Sequence, residues 1–151
     1  MRGLLSDEHG HHAVAEVAGG SLHVFEEGTL TGQCNVLNGG SMVLYNRAIL
    51  DFRIADMSPG DTARFNDTSK ISRSNNATVS YTLTVAEEQP SGVYALGGNC
   101  SSWNTELQVR TVDGVSLGTL ALNGSLTAAD AVFTLSIIDN VLSVTVSRSN
   151  Q

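Results

Sequence analysis

Two stretches of this chain repeat one another at an offset of twenty residues. Gly19-Gly20-Ser21-Leu22 is echoed by Gly39-Gly40-Ser41-Met42, and the echo continues: Val24 with Leu44, Phe25 with Tyr45, Gly28 with Ala48, Leu30 with Leu50. A period near twenty, with a glycine pair before each short alternating apolar segment, is the length of one coil of a β-solenoid. The geometry explains the glycines. Each coil needs short strands joined by tight corners, and Gly adopts backbone angles closed to residues with a Cβ. The expected rungs lie at 22–25, 29–30, 35–37, 42–45 and 49–54. In the last, Leu50, Phe52 and Ile54 share one face, and Asp51 and Arg53 share the other as a solvated pair.

Downstream the punctuation changes. Pro59-Gly60 and the polar runs 66–69 and 72–76 mark a connecting region at 55–76. From Ala77 the chain reads as strands between turns. Val79, Tyr81, Leu83 and Val85 alternate strictly, and 93–96, 107–112, 117–122, 132–138 and 142–146 follow. Asp113-Gly114 is the sharpest hairpin signal, Asn123-Gly124 a second, and Asp139-Asn140 a third. Short turns between strands predict antiparallel pairing. The fold expected is therefore all-β: a polar lead-in at 1–18, short β-solenoid rungs at 19–54, a connection at 55–76, an antiparallel strand-rich module at 77–147 and a tail at 148–151.

Charge narrows the partners. Only 15% of the 151 residues are charged, a single lysine (Lys70) is present, and the formal net charge is −7. Phosphate backbones require clustered Lys and Arg, so nucleic acid is excluded as a partner, as is an anionic membrane surface. No run reaches the roughly 18 apolar residues of a membrane span. The opening MRGLLSDEHGHH lacks the apolar core of a signal peptide. Either the protein stays inside the cell, or it is an internal piece of a longer exported chain. Cys34 and Cys100 lie far apart in Gly/Asn-rich settings. A bridge requires their Cα atoms within about 7 Å, and unpaired thiols are the expectation.

Candidate chemistry is sparse. Glu8, His9, His11 and His12 are metal-binding types on a terminal tail that offers no fixed tetrahedral frame, and His23 is expected to point outward. Adjacent Glu26-Glu27 and Glu87-Glu88 point to opposite faces in a strand and read as solvated turns. Asp51, Asp56, Asp61 and Asp67 recur at five- or six-residue spacing without a dense calcium loop. Asn-X-Ser/Thr triplets begin at Asn66, Asn76, Asn99 and Asn123 and are ascribed to composition. No nucleophile, zinc-hydrolase or phosphate-loop motif occurs, and no metal or cofactor is expected. The binding candidates are the only tryptophan, Trp103, in the polar loop 99–104, with Tyr94, Asn99 and Asn104 beside it. Exposed Trp and Tyr are stacking platforms for sugars, although a Trp can equally cap a core edge.

Taken together, several segments resemble repeat units of bacterial autotransporter-adhesin-type surface proteins. These are the Gly-Gly-Ser-Leu rungs, Ala48–Ile54 leading into Ser58-Pro59-Gly60, Phe65-Asn66-Asp67, Tyr81–Val85, Gly92–Leu96, Leu117–Leu120, Phe133–Ser136 and Leu142–Val146. The resemblance covers about 130 residues in low-complexity motifs. It implies an exported, non-catalytic passenger stalk at the cell surface, partnered by neighbouring repeats, by a second copy or by surface glycans. A carbohydrate-binding module using Trp103 and Tyr94 is the alternative, and a polysaccharide-active β-helix enzyme using Asp51 a weaker one. The chain departs from the family in lacking an export signal and a C-terminal barrel, and in carrying Cys34 and Cys100.

Overall fold

Alternating apolar residues with few helix formers leave the chain one economical way to bury its aliphatic side, as strands in stacked sheets. The computed structural model describes residues 14–18, 21–24, 28–30, 33–37, 40–74 and 77–148, with 14–18, 21–24 and 33–37 as backbone alone. The histidines of the lead-in, Gly19-Gly20, Phe25, Glu26-Glu27, Gly39, Asn76 and the last three residues lie outside the described residues, as do the side chains of His23 and Cys34. Among the described residues the protein is all-β, with fourteen strands and one 3-10 turn at Thr68–Lys70.

The first six strands are β1 (Val14–Ala18), β2 (Ser21–Val24), β3 (Thr29–Leu30), β4 (Gln33–Leu37), β5 (Ser41–Leu44) and β6 (Ile49–Arg53). They pair in parallel, each with the strand about one sequence repeat away. Val14 lies opposite Gln33, Ser21 opposite Ser41, and Thr29 opposite Ile49. Leu22 and Met42, and Leu30 and Leu50, are thus register partners. The repeat legible in the sequence is a hydrogen-bonding register.

The remaining strands are β7 (Ile71–Arg73), β8 (Ser80–Val85), β9 (Gly92–Gly97), β10 (Leu107–Thr111), β11 (Ser116–Leu120), β12 (Ser125–Ala128), β13 (Ala131–Ile138) and β14 (Val141–Arg148). Three expectations are corrected here. The connecting region ends in a strand, because β7 adds to the parallel set β2-β5-β7. The segment after Ala77 is not uniformly antiparallel: β8 and β10 extend β3 and β6 in parallel, and only β11 closes that five-stranded sheet antiparallel. Asn123-Gly124 does not close a hairpin, since β11 and β12 belong to different sheets. The fully antiparallel sheet is β12-β13-β14-β9.

Two rows of side chains join these sheets. Leu50, Phe52, Tyr81, Leu83, Val85, Leu107, Val109 and Leu120 come from the mixed sheet. Tyr94, Leu96, Phe133, Leu135, Leu142, Val144 and Val146 come from the antiparallel one, and all belong to a single buried cluster that also takes in Leu30, Met42 and Leu44. Burial of each such side chain contributes about 1.5–3 kcal/mol relative to exposure. One core therefore runs through both the early parallel strands and the later strand-rich segment.

One end of this core is sealed by a polar plug. Gln89 is fully buried; its Oε1 accepts from the Ala86 N–H (2.8 Å), and its Nε2 donates to the Ile54 carbonyl (2.9 Å). The tight turn at 86–90 is thereby fastened to the end of β6, and β9 starts on the opposite sheet.

Candidate functional site

The loop carrying Trp103 is held by backbone chemistry set up some thirty residues earlier. Phe65 donates its N–H to the Leu96 carbonyl (2.8 Å), Gly98 donates to the Phe65 carbonyl (2.8 Å), and Thr68 donates to the Gly98 carbonyl (2.8 Å). A Cβ on Gly98 would overlap the backbone carbonyl of Asn66, so only glycine permits this approach. The Thr68 hydroxyl donates to the carbonyls of Gly98 and Asn99, each at 3.1 Å. Asn99 then takes a left-handed backbone conformation (φ 49°), a region Asn tolerates. Its side-chain amide donates to Asp67 Oδ1 (2.9 Å) and Ser69 Oγ (3.1 Å). Partial burial works against the charge on Asp67. The hydrogen bonds from Ser69 and Asn99, with Lys70 nearby, outweigh it and hold the carboxyl below its ordinary value. Cys100 is a buried, free thiol that donates to the Ser102 carbonyl (3.3 Å), and its N–H is bound to the Asn140 carbonyl.

Trp103 consequently sits half-buried against two core aromatics. Its ring centroid lies 5.0 Å from Tyr81 and 6.0 Å from Phe52, both edge-to-face at 76° and 68°. Such geometry suits the aromatic quadrupole. The indole Nε1 is buried and has no hydrogen-bond partner among the described residues. In front of the indole a cleft of about 380 Å³ opens between Thr68, Ile71, Arg73, Tyr81 and the loop residues Ser102, Trp103, Asn104 and Thr105.

Of the four sequence candidates, Trp103 and Asn104 line this cleft, and Asn99 braces the loop from behind. Tyr94 does not belong to it. Its side chain is wholly buried in the core and its hydroxyl donates to the Pro90 carbonyl (2.6 Å), so it offers no stacking face. Strand alternation put Tyr94 and Leu96 on the inward side of β9, with Val93 exposed. Of the two aromatics against Trp103, the one that also lines the cleft is Tyr81, which the alternation at 79–85 marked only as core. Arg73 was also missed, because nothing local marks β7 as a strand; its position follows from the pairing of Leu44 with Arg73.

The acidic series is dispersed. Asp51 is buried, not solvated, and accepts from the Thr82 and Thr84 hydroxyls at 2.7 and 2.8 Å. Arg53, expected to pair with it, bonds Asp56 (3.2 Å), which Arg64 also contacts. Asp61 accepts from the Ser58 N–H (2.8 Å), and Asp67 caps the 3-10 turn. The reason is register: Asp51 faces Thr82 across β6 and β8, and the two hydroxyls supply donors that a solvated reading assigned to water. Among the described residues no group of three or more His, Cys, Asp or Glu is placed to hold a metal, and no helix is long and apolar enough to cross a membrane.

Burial raises the Tyr81 pKa above its ordinary 10.0, partly offset by the positive charge of Arg73. A folded pKa above the unfolded one gives stability that is fully present below pH 10 and is lost as pH rises through the folded value. Tyr81→Phe should therefore flatten the alkaline limb of a stability–pH profile above pH 10 and leave the neutral region's pH dependence unchanged. Equilibrium unfolding in urea from pH 7 to 11 measures this. An unchanged alkaline limb would assign the loss to other groups.

Comparison with protein-family models, with curated proteins and with solved structures gives no match for this chain.

Proposed function

We propose that this chain is a non-catalytic structural and adhesive segment of a bacterial surface or secreted protein, built from short β-solenoid rungs that carry an antiparallel cap. The observation that supports it is the parallel register at the sequence period: β2 on β5 and β3 on β6, at a twenty-residue offset. Stacked coils bury a continuous core and leave each new rung a template for the next. This favours a passive scaffold whose partners are neighbouring repeats, a second copy or surface glycans. The dispersed, hydrogen-bonded carboxylates favour a role without turnover.

A rung reading makes a sharp demand. Duplicating residues 21–40 should give a protein with one cooperative unfolding transition and a larger denaturant m-value, because a whole coil adds buried surface. Inserting only ten residues at the same point should abolish cooperative folding, since half a coil leaves the corners out of step. Circular dichroism with urea titration distinguishes the outcomes. Equal tolerance of both insertions would end the solenoid reading, and degradation of a polysaccharide panel by the purified chain would end the non-catalytic one.

A second reading rests on the cleft itself. The lining is mostly polar, with Ser102, Asn104 and Thr105 supplying hydrogen-bonding groups and the half-buried indole a small apolar contact, a combination that suits a sugar. In this reading Trp103 is the platform and Tyr81, not Tyr94, its aromatic neighbour.

A further inference from the structure

We infer that the Trp103 cleft binds a carboxylated monosaccharide unit, a uronic or sialic acid residue, through a carboxylate–guanidinium contact at Arg73. This rests on the second reading above and adds the charge of the ligand.

Three observations meet here. The first is size: a cleft of about 380 Å³ falls within the range of about 300–1,000 Å³ typical of small-ligand sites. The second is the lining, which is mostly polar: hydroxyl, amide and guanidinium groups supply most of it, and the half-buried Trp103 a smaller apolar part over the buried Tyr81. A sugar, rich in hydroxyls with small C–H patches, matches a lining of this kind. The third is charge. Arg73 lies on β7 at the cleft, is exposed, and among the described residues has no hydrogen bond or ion pair. By contrast, Arg53 and Arg64 are both engaged with Asp56. In a protein of net charge −7 with eight cationic side chains in all, an unengaged guanidinium beside the only tryptophan marks an anion position. Planar guanidinium matches a carboxylate in a two-point geometry that an ammonium lacks.

The acidic groups nearby do not cancel this. Asp67 does not line the cleft, and its charge is partly balanced by Lys70. Glu106 lines the adjoining groove with Gln108 and Thr119 and not the Trp103 cleft. The loop is also prepared in advance. Its ties to Thr68, Asp67 and Asn140 hold Trp103 in place, so little ordering is left for the ligand to impose.

Because Trp103 is the only tryptophan, its fluorescence reports on this cleft directly. The full chain is titrated with galacturonic, glucuronic and N-acetylneuraminic acids, with galactose and glucose, and with acetate and inorganic phosphate. The expected result is a saturable emission change with the acidic sugars in the millimolar range, and binding of the neutral sugars weaker by about tenfold or more. Arg73→Gln should remove that preference while melting temperature and ligand-free emission stay as in the parent protein. Arg73→Lys should recover part of it. Equal response to acidic and neutral sugars would overturn the carboxylate assignment and leave the glycan reading standing. Acetate or phosphate reproducing the full change would reduce the site to a simple anion site and overturn the sugar claim. No saturable change with any probe up to roughly 50 mM would overturn both the inference and the second reading, without touching the scaffold reading, which the insertion variants test.

Discussion

Phe52→Ala is expected to lower stability by about 3–5 kcal/mol, the range for a buried Phe truncated in a core that cannot collapse around the gap. Phe52 is 1% exposed in β6, between Leu50 and Ile54 in the inward row of the mixed sheet, and lies opposite Leu83 of β8, itself fully buried. Pairing with a buried central strand limits relaxation. In a chain of this length the loss corresponds to a fall of roughly 10 °C in melting temperature. The substitution also removes one of the two aromatic contacts of Trp103. A red shift of the tryptophan emission should therefore accompany the destabilisation in the native baseline. Urea unfolding followed by circular dichroism gives the first quantity and native-state fluorescence the second. A loss below about 1.5 kcal/mol would mean that this part of the core is loosely packed.

Gly98→Ala is expected to cost about 2–4 kcal/mol, although it adds one methyl group. The new Cβ meets backbone atoms of Asn66, which cannot swing aside as a side chain can. Relief requires separating the 65–68 segment from the end of β9. That breaks or lengthens the bonds from Phe65 N to Leu96 O, from Gly98 N to Phe65 O and from Thr68 N to Gly98 O. Net, each such bond is worth about 0.5–1.5 kcal/mol. Gly97→Ala provides the comparison, because its Cβ would meet the Thr68 methyl, a side-chain atom. Its cost should be the smaller of the two. Reversal of that order would show that the strand end gives way more easily than the Thr68 side chain. Both variants should also lower acidic-sugar affinity, since the 98–105 loop is anchored through this contact.

The ease with which some features were read from sequence follows from what is local. Hairpin chemistry is local. Asp139-Asn140 turns with both residues at positive φ (51° and 64°), as a two-residue turn of that kind requires, and it joins β13 to β14. Ala129-Asp130 makes the same turn, at 52° and 60°, between β12 and β13. It carried no such signal, because Ala has no intrinsic preference for that region, and pairing of the flanking strands imposes it. Asn123 has positive φ as its type suggests, yet the chain there crosses between sheets. A turn residue specifies a bend and not the partner of the strand that follows.

The sequence by itself determined that this protein is all-β, that Leu50, Phe52, Leu83 and Val85 face inward, and that strands twenty residues apart can lie in register. Side-chain alternation of period two and the repeat itself carry that information. Only the tertiary structure decided that β8 and β10 continue the parallel sheet while β9 joins the other one. It also decided that Tyr94 is core, that Asp51 is bound by threonines, and that Arg73 stands before Trp103. The physical reason is that backbone ladder hydrogen bonds are alike for every strand pair. Partner choice is fixed by how two buried rows fit across the core, and that fit depends on residues far apart in the chain.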